Sequence, residues 1–301
     1  MGRSSRGQYL IYIAVFIGFL LIYLHFQGIE EGFDTPKGGP KGIILELIGG
    51  LGNQLYIYSA GKMIQRALGV PIYLKLADAP INSTVAHSDT DYRPIFFSEF
   101  KAVDGSDPIF RDKIDVRVEN RFWDPWTPAT IPLTTEQYIY IPNQWYQHVP
   151  SIESVIPEVR EKILTVLEGM YTTKVEPDAG FIHVRRGDYL QNSLDNDYYT
   201  AAFKHLTDPS IKVLYVFSDD IAWCKEQAWD TPQRIIYIDE PDEMKSLYMM
   251  SQCKKAAIIS NSTFSTWGAL LGAAPSGGQV IYPSKWLYGA ETAFPSSWIR
   301  I

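Results

Sequence analysis

Two adjacent arginines, Arg185 and Arg186, follow a short apolar run and lie inside the segment HVRRGD. Two guanidinium groups at the end of a strand offer forked hydrogen-bond donors to a phosphate or a pyrophosphate. In the same segment Asp188 could hold one guanidinium in position, and His183 could donate to a base or a phosphate. A surface ion pair at the end of a strand would use the same residues, and the arginine pair taken alone favours that interpretation.

A pair of carboxylates follows the next apolar run, in the segment FSDDIAWC. Asp219 and Asp220 could accept hydrogen bonds from a guanine edge or from ribose hydroxyl groups. They could instead bind a divalent metal ion, or cap the helix that follows them. The pair is therefore a candidate site whose partner the residue types leave open.

Two turns that precede helical patterns are candidate ligand sites as well. Residues 260–265 (SNSTFS) form a hydroxyl-rich turn, where the free N–H groups and the dipole of a helix favour an anion. An ordinary N-cap has the same sequence. Residues 49–54 (GGLGNQ) lack the lysine of a Walker loop and the full dinucleotide pattern, so alone they are a weak signal. Their glycines would still let a ligand approach the backbone closely.

Short apolar runs alternate with helical patterns along most of the chain, which predicts parallel sheets covered by helices. A strand at 43–48, a helix that ends at Gly69 and a strand at 70–74 form the first unit. A strand at 138–141 and an amphipathic helix at 151–169 come next. A second series has predicted strands at 181–184, 213–217, 235–238, 256–259 and 280–282, and helices at 198–205, 242–253 and 265–273. Since ligands bind at the carboxyl ends of parallel strands, the polar segments above are where a site is expected.

The charge of the chain restricts its ligands. Its 301 residues carry a formal net charge of −7, which argues against a general nucleic-acid binder. An acidic chain that binds an anion must concentrate a few cations at one place. The two cysteines, Cys224 and Cys253, are too few for a disulfide scaffold and lack a metal-ligand spacing. They could form one bridge or remain free thiols.

The N-terminal region predicts a membrane anchor. Residues 9–26 contain no formally charged side chain and would span roughly 27 Å as a helix, close to the thickness of a bilayer core. Arg3 and Arg6 precede the run and acidic residues follow it, so the body of the protein is expected on the far side of the membrane. A cleaved signal peptide is the alternative, although the run is long and no A-x-A-like site follows. Asn82 and Asn261 begin glycosylation sequons, and Asn82 is the better candidate.

Four segments in order resemble the α-1,2-fucosyltransferase family: GGLGNQL, HVRRGDY, FSDDIAWC and NSTFSTWGA. The resemblance implies an α/β, GT-B-like fold of two facing Rossmann-type domains after one transmembrane helix. The expected division is a cytosolic tail (1–8), an anchor (9–26), a stem (27–42), an N-terminal acceptor-side domain (43–150) and a C-terminal donor domain (151–301). The expected location is that of a type II Golgi membrane protein with a lumenal body.

The resemblance also implies an activity and a role for each motif. L-Fucose would pass from GDP-β-L-fucose to the 2-hydroxyl of a galactose-type acceptor, with inversion and without a metal or other cofactor. Arg185 and Arg186 would bind the pyrophosphate, with support from His183 and Asp188. The remaining donor-site residues implied by the motifs are Asp219 or Asp220 at guanine or ribose, Ser262, Thr263 and Phe264 at the phosphates, and Gly52 and Asn53 approaching from the N-terminal domain. The general base is expected among Asp188, Asp195 and Asp197.

The sequence departs from the family pattern at a few positions. Thr266 stands where members often have a second tryptophan, and Tyr56 where they often have phenylalanine. The segment 141–147 (IPNQWYQ) matches its counterpart only loosely, a difference expected to bear on the acceptor. Other linkages or acceptors, a catalytically silent GDP-sugar binder, and an adhesion protein that uses the RGD triplet are the alternatives.

Overall fold

The structure is a computed structural model, and it describes residues 39–77, 90–117, 124–187, 191–286 and 294–301. Residues 40–301 form one compact unit. The predicted anchor at 9–26 lies outside the described residues, and so do Asn82 and Asp188. Within the described ranges, no helix is long and apolar enough to cross a membrane.

The first sheet is built from five parallel strands in the order β3-β2-β1-β5-β4. Its central strand is almost entirely buried, as the apolar run at the start of the body predicts. The two edge strands have only three residues each. The bounds are β1 (Gly42–Leu47), β2 (Ile72–Leu76), β3 (Lys101–Val103), β4 (Lys113–Asp115) and β5 (Tyr138–Ile141).

Helix α1 (Leu51–Leu68) follows β1 through the glycine-rich turn. Gly49 has φ +73°, a left-handed conformation that glycine adopts without strain. At the other end, Gly69 has φ 65° and donates its N–H to the carbonyl of Gln65, which terminates the helix. The strand–turn–helix–strand unit predicted from the sequence is therefore confirmed.

A helical segment connects the two sheets. Helix α2 (Arg93–Phe96) is short, and α3 (Val149–Ile152), a 3₁₀ turn (Glu153–Val155) and α4 (Ile156–Met170) follow β5. The sequence predicts one helix over 151–169, but the structure has three pieces, because Pro157 lacks the N–H that a continuous helix would need there. Val159, Ile163 and Leu167 form the fully buried stripe of α4.

The second sheet has six parallel strands in the order β11-β10-β9-β6-β7-β8. All six residues of β6 are buried, as expected for a central strand with helices on both faces. The strands are β6 (Ala179–Val184), β7 (Val213–Ser218), β8 (Arg234–Ile238), β9 (Ala256–Ile258), β10 (Gln279–Tyr282) and β11 (Ile299–Arg300). The helices are α5 (Asn196–Phe203), α6 (Ile221–Glu226), α7 (Glu243–Gln252) and α8 (Thr263–Leu271).

Each sheet reverses its strand order at one place. In the first sheet the chain builds outward from β1 through β2 and β3, then returns to place β5 on the other side of β1. In the second it builds outward from β6 through β7 and β8, then returns to place β9 beside β6. Ligands of open parallel sheets bind at the carboxyl ends of the strands that flank such a switch point. The fold thus marks the ends of β1 and β5, and those of β6 and β9.

One hydrophobic cluster contains residues of both sheets and of the helices between them, such as Leu45, Ile163, Phe181 and Trp267. Helices α1 and α8 contact each other inside it. Tyr56 of α1 packs edge-on against Trp267 (5.6 Å between ring centroids), and its side chain lies beside that of Thr266. Burial raises the pKa of Tyr56, so the phenol stays neutral. The parallel α/β class is confirmed, while the domain boundary between residues 150 and 151 stays a prediction.

Candidate functional site

Three of the predicted motifs begin at the carboxyl ends of three neighbouring strands, β9, β6 and β7. Arg185 and Arg186 follow β6, Asp219 and Asp220 follow β7, and the turn before α8 follows β9. The structure therefore brings together segments that lie up to about 80 residues apart in the sequence, and it does so at a switch point of the sheet.

Both arginines are held by the two aspartates. Arg185 Nη1 lies 2.7 Å from Asp219 Oδ2, and the backbone N–H of Arg186 donates to Asp219 Oδ1 at 2.8 Å. Arg186 Nε donates to Asp220 Oδ2 at 3.1 Å. The four side chains are between 16% and 33% exposed, so solvent weakens these ion pairs less than at an open surface. The carboxylates also keep two adjacent cations from repelling each other.

Asp220 also caps a helix, and Trp223 in that helix contacts Arg186. The other oxygen of Asp220, Oδ1, accepts the backbone N–H of Trp223 at 3.0 Å and caps α6. The ring of Trp223 lies 4.1 Å from the guanidinium carbon of Arg186, a cation–π contact. Arg186 is thus fixed by an ion pair on one side and by an aromatic face on another.

Every carboxylate oxygen of Asp219 and Asp220 accepts a hydrogen bond or ion pair from the protein itself. In the folded chain both residues therefore position the arginines, and their contact with a guanine or a ribose stays a prediction. Gly187 belongs to the same arrangement, because a Cβ at this position would stand 2.7 Å from Asp219 Oδ2. The helix cap, one of the alternatives that the sequence left open for this pair, is the observed role of Asp220 Oδ1.

His183 is the last polar group of β6 and is 6% exposed. Its Nδ1 lies 2.8 Å from Ser260 Oγ, and its ring is 5.8 Å from that of Phe264. This hydrogen bond connects β6 to the segment after β9 across the switch point. Burial lowers the pKa of His183 to about 4; the nearby Asp219 opposes this effect and Arg185 adds to it. The imidazole is therefore neutral at physiological pH and acts through hydrogen bonding.

The turn at 260–263 places the N-terminus of α8 beside His183. Ser262 is the N-cap residue with extended backbone angles, and its carbonyl accepts the hydroxyl groups of Ser265 (3.1 Å) and Thr266 (3.0 Å). Its own side chain does not cap the helix, and the first turn contains no acidic residue. The first N–H groups of α8 are therefore not neutralised by a carboxylate, as an anion-binding helix terminus requires.

Gly52 and Asn53 of α1 contact this turn, and their role at the donor phosphates stays a prediction. A Cβ on Gly52 would lie 2.5 Å from Phe264 N and 2.7 Å from Thr263 C, so the two helix N-termini pack backbone against backbone. Asn53 Oδ1 accepts the Thr263 hydroxyl at 2.8 Å. Both residues thus hold the α8 turn from the side of the first sheet.

Gln147 is a participant that the sequence reasoning did not select. Its Nε2 donates to Asn53 Oδ1 at 3.0 Å, and Trp145, two residues earlier, packs near Gly49. Gln147 could have been selected from the sequence, because it is the last residue of the segment 141–147, which loosely matches the family pattern. That segment reaches the residues that hold α8, in addition to any contact with an acceptor.

Other residues singled out from the sequence include Asp188, Asp195 and Asn261. Asp188 lies outside the described residues, and Asp195 caps α5 by accepting the N–H of Tyr198 at 3.2 Å. The amide of Asn261 is 3% exposed and donates to the carbonyl of Asn192 at 2.8 Å, so the folded chain does not present this sequon.

Cys224 and Cys253 are free and buried, which selects one of the two states left open by the sequence. Burial raises the pKa of the Cys224 thiol to about 11, so it is not a reactive thiolate. In the part of the chain that the structure describes, no group of three or more His, Cys, Asp or Glu side chains is placed to hold a metal ion.

The two guanidiniums are held by carboxylates, and the N-terminus of α8 lies beside them at a switch point of the sheet. This arrangement is suited to a nucleoside diphosphate, the leaving group in many glycosyltransferase reactions. The chain belongs to glycosyl transferase family 11, whose family model matches residues 130–300. The matched region contains the arginine pair, the aspartate pair and the α8 turn.

Three curated proteins illustrate the relationship. The O-antigen biosynthesis glycosyltransferase WbnK of Escherichia coli is 24% identical over 85% of this chain and 99% of its own length. An alpha-1,2-colitosyltransferase of Escherichia coli is 32% identical over 40% of this chain and 46% of its own length. The mouse galactoside 2-alpha-L-fucosyltransferase Sec1 is 24% identical over 84% of this chain and 72% of its own length.

Among solved structures, the NodZ alpha-1,6-fucosyltransferase co-crystallised with GDP gives a TM-score of 0.46 at 11% identity. The comparison covers 77% of this chain and 93% of that chain. A likeness at this level does not bear on function.

Proposed function

We propose that this protein is an inverting α-1,2-fucosyltransferase that moves L-fucose from GDP-β-L-fucose to the 2-hydroxyl of a galactose-type acceptor. The observation on which the proposal rests is the Arg185–Arg186 pair, held by Asp219 and Asp220 next to the N-terminus of α8. Membership of family 11 and the similarity to a mouse galactoside fucosyltransferase support the choice of donor and linkage.

The electrostatics of the site suit departure of GDP. As the bond between fucose C1 and the phosphate oxygen breaks, negative charge grows on the β-phosphate and positive charge on the sugar ring. Donors fixed in advance stabilise the growing charge without reorganising, and Asp219, Asp220 and Trp223 fix the guanidiniums in this sense. The arginines would thereby supply the charge that other transferases obtain from a metal ion.

The other site residues have supporting roles in this proposal. His183 is neutral and would act as a hydrogen-bonding group, because a cation here would cost desolvation free energy. Ser262, Thr263 and Phe264 would present the first N–H groups of α8 to a phosphate. Inversion requires a base that takes the proton of the acceptor hydroxyl, and we assign this role to Asp188, with Asp197 as the second candidate.

We further propose a GT-B-like division of labour between the two sheets. The carboxyl ends of β6, β7 and β9 would hold the donor, and the ends of β1 and β5 would face the acceptor. Joining of the two switch points through Asn53 supports this arrangement, because it brings the ends of both sheets to one cleft.

The decisive assay offers a panel of GDP- and UDP-sugars to the purified full-length protein in mild detergent, with lactose as acceptor and EDTA present. The proposal expects transfer from GDP-fucose and a 2-linked α-fucoside by NMR. Binding of GDP-fucose without transfer to any galactoside would indicate a silent binder or another acceptor. Absence of binding to every GDP-sugar would refute the proposal.

A matched pair of variants tests the arginine role in the same assay. Arg186→Lys keeps the charge but removes the fork, and we expect a loss of about 10²–10³ in kcat. Arg234→Lys is the control, because Arg234 pairs with Glu176 at the exposed start of β8, the opposite end of the same sheet. Near-normal turnover of Arg186→Lys would contradict the forked-donor role.

Colitose is a second candidate sugar. The observation in its favour is the 32% identity to an alpha-1,2-colitosyltransferase, over 136 residues. Including activated colitose in the donor panel distinguishes the two, since the preferred donor is the one with the higher kcat/KM.

We also propose that residues 9–26 anchor the protein as a type II membrane protein of the Golgi, with the body in the lumen. The uncharged run and the charges that flank it support this orientation. Protease protection of the body in sealed microsomes is the expected result. Digestion of the body without added detergent would contradict it.

A further inference from the structure

The side-chain oxygen of Asn53 connects three segments that are far apart in the sequence. Asn53 Oδ1 accepts the Thr263 hydroxyl at 2.8 Å and Gln147 Nε2 at 3.0 Å. Asn53 lies in the first turn of α1, which follows β1, Gln147 lies in the loop after β5, and Thr263 begins α8, which follows β9. β1 and β5 flank the switch point of the first sheet, and β9 lies at the switch point of the second. The carboxamide of Asn53 is therefore a joint between the two switch points.

The surroundings of this joint restrict its movement. The backbone of Gly52 lies against that of Thr263 and Phe264, with no room for a Cβ. Gly49, at φ +73°, leaves space for Asn53 Nδ2, which would stand 2.3 Å from a Cβ at that position. Trp145 closes the same space from the side of Gln147. Asn53 thus has little freedom to rotate, and its oxygen is directed at the two donors.

Thr263 is the first residue of α8, so the hydrogen bond from its side chain fixes the first turn of that helix. The amides of this turn have no partner within the helix, because the first N–H groups of any α-helix lack one. Their direction depends on what holds the turn from outside. Asn53 does so directly, and Gln147 supports Asn53 from the opposite loop.

We propose that Gln147 is a positioning residue of the donor site, acting through Asn53 on Thr263 and on the first turn of α8. This proposal rests on the proposed function, because it takes the α8 turn to bind the diphosphate of the donor. Its consequence is a linkage between the halves of the cleft. A ligand that displaces the 142–147 loop alters donor affinity, and donor binding alters the affinity for that ligand by the same factor.

The test measures the affinity for GDP by calorimetry in the full-length protein, using Gln147→Met, Thr263→Val and the double variant. A net hydrogen bond contributes about 1 kcal/mol, so Gln147→Met should weaken GDP binding about fivefold. Because Gln147 acts through Thr263, its replacement should have no further effect in the Thr263→Val background. Gln252→Met is the matched control, since Gln252 Nε2 donates one hydrogen bond to the carbonyl of Thr173 away from the cleft.

A second measurement needs no ligand and guards against a general loss of stability. In Gln147→Met, hydrogen exchange at the amides of residues 263–265 should accelerate, while exchange within α7 should match the wild type and global unfolding by urea should match the Gln252→Met control.

The outcomes separate the two proposals. If the wild type binds no GDP, the proposed function fails and this inference falls with it. If the wild type binds GDP and Gln147→Met binds it equally well, the positioning role alone is refuted. Multiplicative effects of Gln147→Met and Thr263→Val would also refute it, since they would mean that Gln147 acts independently of the helix turn.

Discussion

Replacing Gly52 by alanine would put a methyl group into a space that the backbone of α8 already fills. The new Cβ would lie 2.5 Å from Phe264 N, 2.7 Å from Thr263 C and 2.8 Å from Phe264 Cα. Ordinary contact needs about 3.5 Å, so α1 and α8 must separate by about 1 Å. Backbone atoms cannot rotate out of the way as a flexible side chain could.

That separation has a second effect. The bond of 2.8 Å between Thr263 Oγ1 and Asn53 Oδ1 would stretch to about 3.8 Å, which is no longer a hydrogen bond. Overpacking costs about 1–3 kcal/mol and a lost hydrogen bond about 1 kcal/mol. We expect the free energy of unfolding to fall by about 2–4 kcal/mol, and the melting temperature by roughly 5–15 °C. Affinity for GDP should fall as well, because the α8 turn moves.

The assay is urea unfolding together with GDP calorimetry, and Gly169→Ala is the control. A Cβ on Gly169 meets nothing within 4 Å in the last turn of α4. Alanine there should raise the free energy of unfolding by about 0.5–1 kcal/mol, because it favours the helix. If Gly52→Ala unfolded and bound GDP like the wild type, the backbone contact between α1 and α8 would not exist as described.

Two further predictions concern the support of the arginines, and a third concerns His183. In Asp219→Asn, the amide oxygen can accept only one of the two donors that the carboxylate binds. The kcat/KM for GDP-fucose should therefore fall about 10- to 100-fold. An unchanged kcat/KM would mean that the carboxylate does not orient the arginines. Trp223→Leu removes the aromatic face that lies against Arg186, and calorimetry should show GDP binding weakened about threefold to tenfold. Equal affinity would mean that the cation–π contact does not help to position Arg186 for GDP. His183 has a folded pKa of about 4, below its ordinary 6.5, so its contribution to stability is complete above pH 6.5 and is lost as the pH falls towards 4. Urea unfolding should show a loss of up to about 3 kcal/mol over that range that is absent in His183→Asn, and equal pH dependence of the two proteins would contradict the burial of a neutral ring.

Much of the fold could be predicted because its strands are continuous apolar runs bounded by glycine, as at β1, or by charged turns, as at β6 and β7. β5 was predicted with its observed bounds, Tyr138–Ile141, and most other strands to within two residues. The edge strands β3, β4 and β11 have two or three residues each, which is too short for a period to be seen. Hydrogen bonds to a neighbouring strand define them, and a sequence does not display such bonds.

The meeting of the candidate segments at one edge of the sheet could be predicted from the sequence, whereas their contacts could be predicted only in part. Parallel topology places the ends of β6, β7 and β9 together, so the grouping of the motifs followed from the pattern alone. The partner of each group did not follow. For Asp219 and Asp220 the sequence offered a nucleotide, a metal ion or a helix cap, and the cap is observed at Asp220. Their contacts with the arginines depend on side-chain directions across two strands, which the sequence does not display. The bond from Thr263 to Asn53 spans 210 residues, a separation at which no local signal exists.

The contact between Tyr56 and Thr266 has a consequence for the history of the protein. These are two positions at which the sequence departs from the pattern of the family it resembles, and in the folded chain their side chains lie next to each other. Both side chains are buried, so a tryptophan at 266 beside the present tyrosine would overpack the core, at a cost of about 1–3 kcal/mol. Neither exchange is therefore neutral in every background, and selection would tend to fix the two together. The α1–α8 contact should accordingly appear as a covarying pair of positions, with strong epistasis between them.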